Sequence, residues 1–230
     1  MRLECHNLNY IYPGSRSAVI KDMSFSMESP GFNAIFGPSG VGKTSLARLI
    51  TSPGDRMGRS FFTRQIKTIH YSYNLERLPG WSSTGNHLDK VTPEGKEGFK
   101  QELVDIFELN DVVHARFAKL SMGQQNRINL IRYLLQEFDL LILDESLANV
   151  DETLRQKIIL AIKDLFDDKM FIYISHNLME VSKFCNQILV MGKSPGAKNY
   201  CMIQGQDYKT NGRLDKNRLD QTMLEIMNAV

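Results

Sequence analysis

One stretch decides the fold of this 230-residue chain: Gly37-Pro38-Ser39-Gly40-Val41-Gly42-Lys43-Thr44. It matches the complete pattern G-x-x-x-x-G-K-[ST], with an apolar stretch before it and helical spacing after it. In this strand, loop and helix context, backbone N–H groups and the helix N-terminus bind phosphate oxygens. Lys43 is expected to reach the β- and γ-phosphates, and the Thr44 hydroxyl suits Mg²⁺. The sequence therefore predicts binding of a nucleoside triphosphate by Gly37, Pro38, Ser39, Gly40, Val41, Gly42, Lys43, Thr44 and Ser45.

Composition limits the other functions. With 42% hydrophobic residues, a chain of this length can bury one substantial core. The net charge is +2 and the basic residues are scattered, so we expect no nucleic-acid partner. The three cysteines lie far apart without metal spacing, which favours reduced thiols in a cytosolic setting. We find no signal peptide and no apolar run of about 18 residues, and therefore expect a chain that is soluble on its own.

The order of elements predicts an α/β fold. Early hairpin strands come before alternating strands and helices, which favours an antiparallel N-terminal region and a mixed sheet, with a mainly helical subdomain over about 75–136 and a short extension over about 199–230. Strands are predicted at 3–12, 19–27, 32–36, 66–73, 140–143, 171–174 and 187–191. Helices are predicted at 97–108, 123–136, 151–166, 178–185 and 214–227. Pro79-Gly80 and Pro195-Gly196 mark loops.

A second acidic motif follows a buried strand. Leu140 to Leu143 is apolar and ends in Asp144 and Glu145. Parallel strands present their carboxyl ends at one edge of the sheet, so both acids should lie beside the phosphate loop. Asp144 is then placed to hold Mg²⁺ through water, and Glu145 to polarise an attacking water. Taken alone, the pair could instead begin a loop or cap the next helix.

A third motif suggests a family. Leu120-Ser121-Met122-Gly123-Gln124-Gln125 resembles the LSGGQ signature of ATP-binding cassette (ABC) proteins. The resemblance covers residues 3 to 196 and implies the P-loop NTPase fold of ABC type, with ATP as substrate and Mg²⁺ as cofactor. Ser121, Gly123 and Gln124 would then form a second anion cradle at a helix N-terminus. Taken alone, Ser121 could be a simple helix cap.

The same resemblance assigns roles to other residues. Tyr12 looks like the aromatic that stacks on adenine, with Tyr10 as its rival and strand packing as the other interpretation. Ala148-Asn149-Val150-Asp151 resembles the D-loop. His176 matches the switch histidine, which would bond the γ-phosphate or hold Glu145 and water in line.

Two positions depart from the family pattern. Asn74 stands where the family usually has the Q-loop glutamine. The resemblance therefore assigns Asn74 both to the catalytic residues and to the residues that contact the metal. Its amide is one methylene shorter, so a water-bridged contact could replace direct reach to Mg²⁺, and Asn74→Gln should then raise turnover. Met122 replaces a signature glycine. If its φ is negative and its side chain points outward, phosphate binding by the neighbouring groups is retained.

The resemblance also implies partners. A single cassette without membrane spans cannot move a solute, so it implies a second cassette, expected to give a homodimer, together with permease subunits and an extracytoplasmic solute-binding protein. The chain would be peripheral, at the cytoplasmic face of the cell membrane. The segments 77–81 and 190–196 look like the importer branch for nitrate, taurine, aliphatic sulfonates and thiamine precursors. Trp81 is interpreted either as a permease-docking residue or as a partly buried anchor.

Two alternatives to this transport function remain. One is an ABC ATPase without a transport role, although the chain lacks the coiled-coil insertion or the second cassette of such proteins. The other is a degenerate cassette that binds ATP as a structural partner, an alternative based on Asn74 and Met122.

Overall fold

Two β-sheets and a set of helices make up the part of the chain that the computed structural model describes, residues 1–28, 30–52, 60–74, 76–192 and 199–230. The strands are β1 (Arg2–Ile11), β2 (Ala18–Glu28), β3 (Gly31–Phe36), β4 (Phe61–Arg64), β5 (Ile69–Tyr73), β6 (Leu140–Asp144), β7 (Met170–Ile174), β8 (Gln187–Met191) and β9 (Tyr200–Gln204). The helices are α1 (Lys43–Thr51), α2 (Thr84–Asp89), α3 (Glu97–Ile106), α4 (Met122–Leu134), α5 (Glu152–Leu165), α6 (Leu178–Phe184) and α7 (Lys216–Ala229).

The larger sheet positions the candidate site. Its strand order is β5-β6-β7-β3-β8-β9, and all neighbouring pairs are parallel except β8 and β9. Because the first four strands run in one direction, their carboxyl ends meet at one edge. That edge carries Asn74, Glu145, the segment around His176 and the phosphate loop, in this spatial order. The smaller sheet, β2-β1-β4, is antiparallel.

The core lies on both faces of the larger sheet. Successive residues of a strand point to opposite faces, and every residue of β6 is buried. Leu141 and Leu143 join the cluster formed with helices such as α4 and α5, whereas Leu140 and Ile142 join the cluster formed with α1 and the smaller sheet. A parallel strand covered on both faces reads as a continuous apolar run, which is why β6 could be predicted.

The predicted fold class is confirmed, with local differences. The five predicted helices are present with ends shifted by at most two residues. The strand predicted from Ile66 begins at Ile69, because the backbone N–H groups of Lys67 and Thr68 donate to the Asp139 carboxylate (2.6 and 2.9 Å) rather than to a neighbouring strand. Strands β4 and β9 and helix α2 were not predicted. The predicted loop at Pro195-Gly196 lies outside the described residues.

Helix α2 shows why a short element escapes prediction. Its sequence, Thr-Gly-Asn-His-Leu-Asp, contains several poor helix formers. The Ser83 hydroxyl nevertheless caps it by accepting from the Asn86 N–H at 3.2 Å, and Thr84, His87 and Leu88 are buried. Capping and burial therefore outweigh intrinsic propensity.

Candidate functional site

The phosphate loop connects β3 to α1. Gly37 and Gly42 have positive φ angles, +152° and +109°. A Cβ atom at Gly37 would overlap the Met191 carbonyl oxygen, and one at Gly42 would lie 2.9 Å from the Val19 side chain. Both glycines are therefore required by the tight passage of the loop along β8 and β2. The loop leads directly into the N-terminus of α1, with Gly42 as the N-cap residue, as the motif predicts.

Lys43 is the buried cation of this loop. Its Nζ donates to the carbonyl oxygens of Gly37 (2.7 Å) and Pro38 (2.9 Å). The ammonium group is thereby folded back over the loop, within the space that the loop surrounds. A bound phosphate chain would offer stronger, charged acceptors to the same group.

Asp144 ends β6 beside the first turn of α1. Its Oδ2 atom accepts from the Thr44 hydroxyl at 2.8 Å and from the Tyr71 hydroxyl at 2.7 Å. Burial and the Asp144 carboxylate raise the pKa of Tyr71 well above its usual range, so the phenol remains a donor. Thr44 and Asp144, predicted as Mg²⁺ ligands although they lie 100 positions apart, are thus in direct contact.

Glu145 carries the second carboxylate in an uncommon backbone conformation. Its φ is +53°, in the left-handed region, and its N–H donates to the Ile174 carbonyl oxygen at 3.1 Å. The Asn74 Nδ2 donates to its Oε2 at 3.0 Å, and the His176 Nε2 lies 2.6 Å from its Oε1. Asn74 and His176, which follow two other strands, therefore meet at the carboxylate of Glu145.

Most of these groups border a cavity of about 350 Å³, but Asn74 and Tyr71 do not line it. Tyr12 lies at its wall, half exposed, with its hydroxyl bonded to Ser45 and its ring edge-on to Tyr10 at 5.1 Å. Tyr10 does not line the cavity, so Tyr12 is the better placed of the two candidates. The lining residues are Tyr12, Val19, Ser39, Gly40, Gly42, Lys43, Thr44, Ser45, Asp144, Glu145 and His176.

The signature segment lies outside this lining. Ser121 caps α4: its hydroxyl accepts from the Gln124 N–H (3.2 Å), and the Gln124 Oε1 accepts from the Ser121 N–H (2.9 Å). Met122 is helical and 48% exposed, which meets the condition for leaving the adjacent groups accessible. A Cβ at Gly123 would overlap the carbonyl oxygen of Asn149. Gly123 is therefore required for close packing against the D-loop.

The D-loop is fixed by side chains around it. Its Asn149 has a φ of +62°, and the Asn126 amide of α4 donates to the Ala148 carbonyl oxygen at 3.0 Å. Asp151 caps α5 by accepting from the Leu154 N–H at 2.9 Å. The signature helix and the D-loop thus form one connected surface.

Sequence reasoning missed three residues here. Val19 lines the cavity, Tyr71 bonds Asp144, and Glu76 bonds α4 through Arg132 (3.1 Å) and Tyr133 (2.9 Å). Strand alternation on β5 could have placed Tyr71 on the face of the sheet that α1 covers, but no motif marks Glu76. Trp81 is 80% exposed, which contradicts its interpretation as a partly buried anchor.

Three comparisons with known proteins bear on this site. The family model of ABC transporters matches residues 20–148. A molybdenum import ATP-binding protein of Bradyrhizobium diazoefficiens is 29% identical over 84% of this chain and 24% of its own length. A spermidine/putrescine import ATP-binding protein of Fusobacterium nucleatum is 30% identical over 80% of this chain and 53% of its own. The chain thus spans about half or less of the length of these two relatives.

Another relative is similar in length. A "probable metal transport system ATP-binding protein" of Chlamydia pneumoniae is 27% identical over 84% of this chain and 87% of its own. These relatives do not single out the nitrate, taurine and sulfonate branch that the sequence predicts.

Solved structures show the same fold. A bacterial Atm1-family ABC exporter with ATP bound has a TM-score of 0.69 at 18% identity, over 82% of this chain and 37% of that one. A dimeric ATP-binding cassette in a post-hydrolysis state, bound to ADP and Pi, has a TM-score of 0.68 at 18% identity, over 81% and 93%. In the described residues, every helix is too short or too polar to cross a membrane.

Proposed function

The chain belongs to the ABC transporter family, and from this premise we propose that it is a single nucleotide-binding domain that binds and hydrolyses ATP to drive transport. One observation carries the proposal. The phosphate loop, the acids that end β6 and His176 come from separate parts of the sequence and border one cavity. This convergence joins phosphate binding and a carboxylate for water activation in one place.

The residues fit Mg²⁺ as the cofactor. Thr44 and Asp144 offer hard oxygen ligands 2.8 Å apart at the cavity wall. Protein sites for Mg²⁺ use one or two carboxylates together with substrate phosphates and water, so a dedicated cage of acids is not required. When bound, Mg²⁺ would neutralise charge on the β- and γ-phosphate oxygens.

Each side chain then has a task. Lys43 exchanges its two carbonyl acceptors for phosphate oxygens, and Tyr12 supplies an aromatic face for adenine. Glu145 orients or deprotonates the attacking water, and His176 holds that carboxylate or the γ-phosphate. Ser121 and the N-terminus of α4 meet the γ-phosphate held by a second copy of the chain.

Partners follow from the same proposal. Two cassettes, expected to be identical, dock on membrane permease subunits at the cytoplasmic face, and a solute-binding protein delivers the cargo. The relatives named above as import proteins favour an importer and support no one solute. Because the basic residues of the sequence are scattered, we expect no nucleic-acid partner.

ATP turnover tests the proposal. We expect the purified chain to hydrolyse ATP in the presence of Mg²⁺, and to co-purify with permease subunits from its native membrane. ATP binding without turnover, even in the assembled complex, would instead support a degenerate structural cassette. Turnover by a chain that co-purifies with no membrane partner would support the non-transport alternative.

A further inference from the structure

Asn74 contacts the catalytic carboxylate rather than standing apart from it. Its Nδ2 donates to the Glu145 Oε2 at 3.0 Å, while His176 lies 2.6 Å from the Oε1. A hydrogen bond from an amide to a carboxylate is charge-assisted, so it is about twice as strong as a bond between neutral groups. Both carboxylate oxygens of Glu145 therefore have a partner, with His176 at Oε1 and Asn74 at Oε2.

Strand β5 is joined to the acidic segment at two more positions. The Tyr71 hydroxyl donates to Asp144 at 2.7 Å, and the buried Ser146 hydroxyl donates to the Ser72 carbonyl oxygen at 2.8 Å. Because β5 is an edge strand with β6 as its neighbour, these bonds fix its register on β6. Asn74 is thereby aligned with Glu145.

The chain just beyond Asn74 is attached to the signature helix. The Glu76 carboxylate accepts from Arg132 at 3.1 Å and from the Tyr133 hydroxyl at 2.9 Å. Its backbone carbonyl accepts from the Asn129 amide at 3.0 Å. All three donors lie on α4, which Ser121 caps.

The ion pair of Glu76 is well sheltered. Its side chain is 17% exposed and that of Arg132 is 19% exposed. Burial, and after it the Glu76 carboxylate, raise the pKa of Tyr133 well above its usual range, so its hydroxyl stays a donor. The side chain of Glu76 therefore connects Asn74 to α4 by contacts that are largely shielded from water.

We propose that Asn74 is a positioning residue that acts on Glu145, and that Glu76 links it to α4, so that the placement of the signature helix is transmitted to the catalytic carboxylate. This inference rests on the proposed ATPase function. It differs from the expectation for the Q-loop, in which the amide serves Mg²⁺ or the attacking water, because here an amide N–H of Asn74 donates to Glu145 itself.

Substitutions at Asn74 separate the two roles. Asn74→Asp keeps the size, removes the donor and adds an oxygen ligand. If Asn74 positions Glu145, like charges repel and kcat should fall about 10-fold or more, because a hydrogen bond to a charged group is lost. The dissociation constant for ATP and the Mg²⁺ concentration for half-maximal turnover should change by no more than about twofold. A retained kcat with a lower Mg²⁺ requirement would overturn the proposal.

Asn74→Gln separates the two roles a second time, because they predict opposite changes in kcat for this variant. Glutamine keeps the amide but its arm is longer, so the bond to Glu145 loses its geometry and kcat should fall. A rise in kcat would support action on Mg²⁺ or water and would contradict positioning of Glu145.

The link is tested by milder changes. Tyr133→Phe and Glu76→Gln each weaken the attachment to α4, and each should lower kcat about 3-fold at unchanged ATP affinity. Combined with Asn74→Asp, neither should lower kcat further, because Glu76 acts through Asn74. Fully additive losses would contradict the link. The control is Tyr200→Phe, which removes a hydroxyl that bonds the Ser24 N–H at 2.8 Å, and which should leave kcat unchanged.

Wild-type turnover is measured first with the full chain. A chain that binds no ATP or does not hydrolyse it contradicts the proposed function and this inference together. A wild type that hydrolyses ATP, with Asn74→Asp equal to it, contradicts this inference alone. Retained ATP affinity in each variant shows that the variant is folded.

Discussion

The phosphate-loop side of the molecule and the signature segment, residues 120–125, satisfy their polar groups in opposite ways. Around the phosphate loop, the side chains of Lys43, Thr44, Asp144 and Glu145 converge on a cavity of about 350 Å³. In the signature segment, the side chains of Ser121 and Gln124 each accept from the other residue's backbone N–H. These two bonds cap the N-terminus of α4. The first region borders a cavity within one chain, whereas the second is complete as a helix end and, under the proposed function, meets a phosphate held by a second chain.

The largest effect that we expect from a single substitution in these two regions is a loss of ATP affinity at Lys43. Lys43→Ala removes the ammonium group from the phosphate loop, and ATP affinity should fall about 100-fold, since bonds to charged groups are lost. Isothermal titration with ATP measures this loss. Lys157→Ala is the control, because this exposed lysine pairs with Glu108 outside the cavity lining. Unchanged ATP affinity in Lys43→Ala would contradict the assignment of this loop as the phosphate-binding site.

A smaller effect, on stability, is expected at Gly123. An added methyl group would overlap the Asn149 carbonyl oxygen, so Gly123→Ala should destabilise the fold by about 1–3 kcal/mol. Gly98→Ala on α3 meets no atom within 4 Å and should be neutral or slightly stabilising. Urea unfolding of both variants makes the comparison. Equal stabilities would show that the D-loop does not press on α4.

Two serine N-caps with the same hydrogen-bond length separate capping from function. Ser121 and Ser83 each accept from a backbone N–H at 3.2 Å, so replacement of either by Ala should cost about 1 kcal/mol of stability. Only Ser121→Ala should also reduce the association of two chains with ATP, as followed by light scattering. Equal association in both variants would remove Ser121 from the nucleotide site.

The smallest effect on the isolated chain is expected at Trp81. This side chain is 80% exposed, so Trp81→Ala should leave stability and ATP affinity unchanged while weakening co-purification with permease subunits. Phe62→Ala, at another exposed aromatic on β4, is the control. Loss of nucleotide affinity with intact assembly would show that Trp81 is not a docking residue.

Sequence alone could predict the parts of the site that follow local rules. The phosphate loop, the acids after β6 and His176 after β7 are each marked by a buried strand and a motif at its end. The hydrogen bonds of Asp139 to Lys67 and Thr68 and the contact of Glu76 with α4 could not be predicted. Each joins residues that are far apart in sequence, and tertiary contacts of this kind leave no local pattern.

The same limit applies to the two departures from the family pattern. Sequence reasoning set out the condition under which Met122 is tolerated, and its helical, exposed placement meets that condition. For Asn74 it predicted a shortened reach to Mg²⁺ or water. It did not predict the direct bond to Glu145, because the left-handed backbone of Glu145 brings that carboxylate toward β5.

The central claim is that one chain carries two unlike half-sites that complete each other in a pair of chains. Glu145→Gln tests it most directly, since the substitution removes the catalytic carboxylate while keeping its size and leaving the phosphate loop and signature segment intact. Light scattering with Mg²⁺ and ATP should show a dimer of Glu145→Gln where wild type is largely monomeric, with turnover lower by about 100-fold or more. Near-normal hydrolysis by a monomeric Glu145→Gln variant would contradict the account.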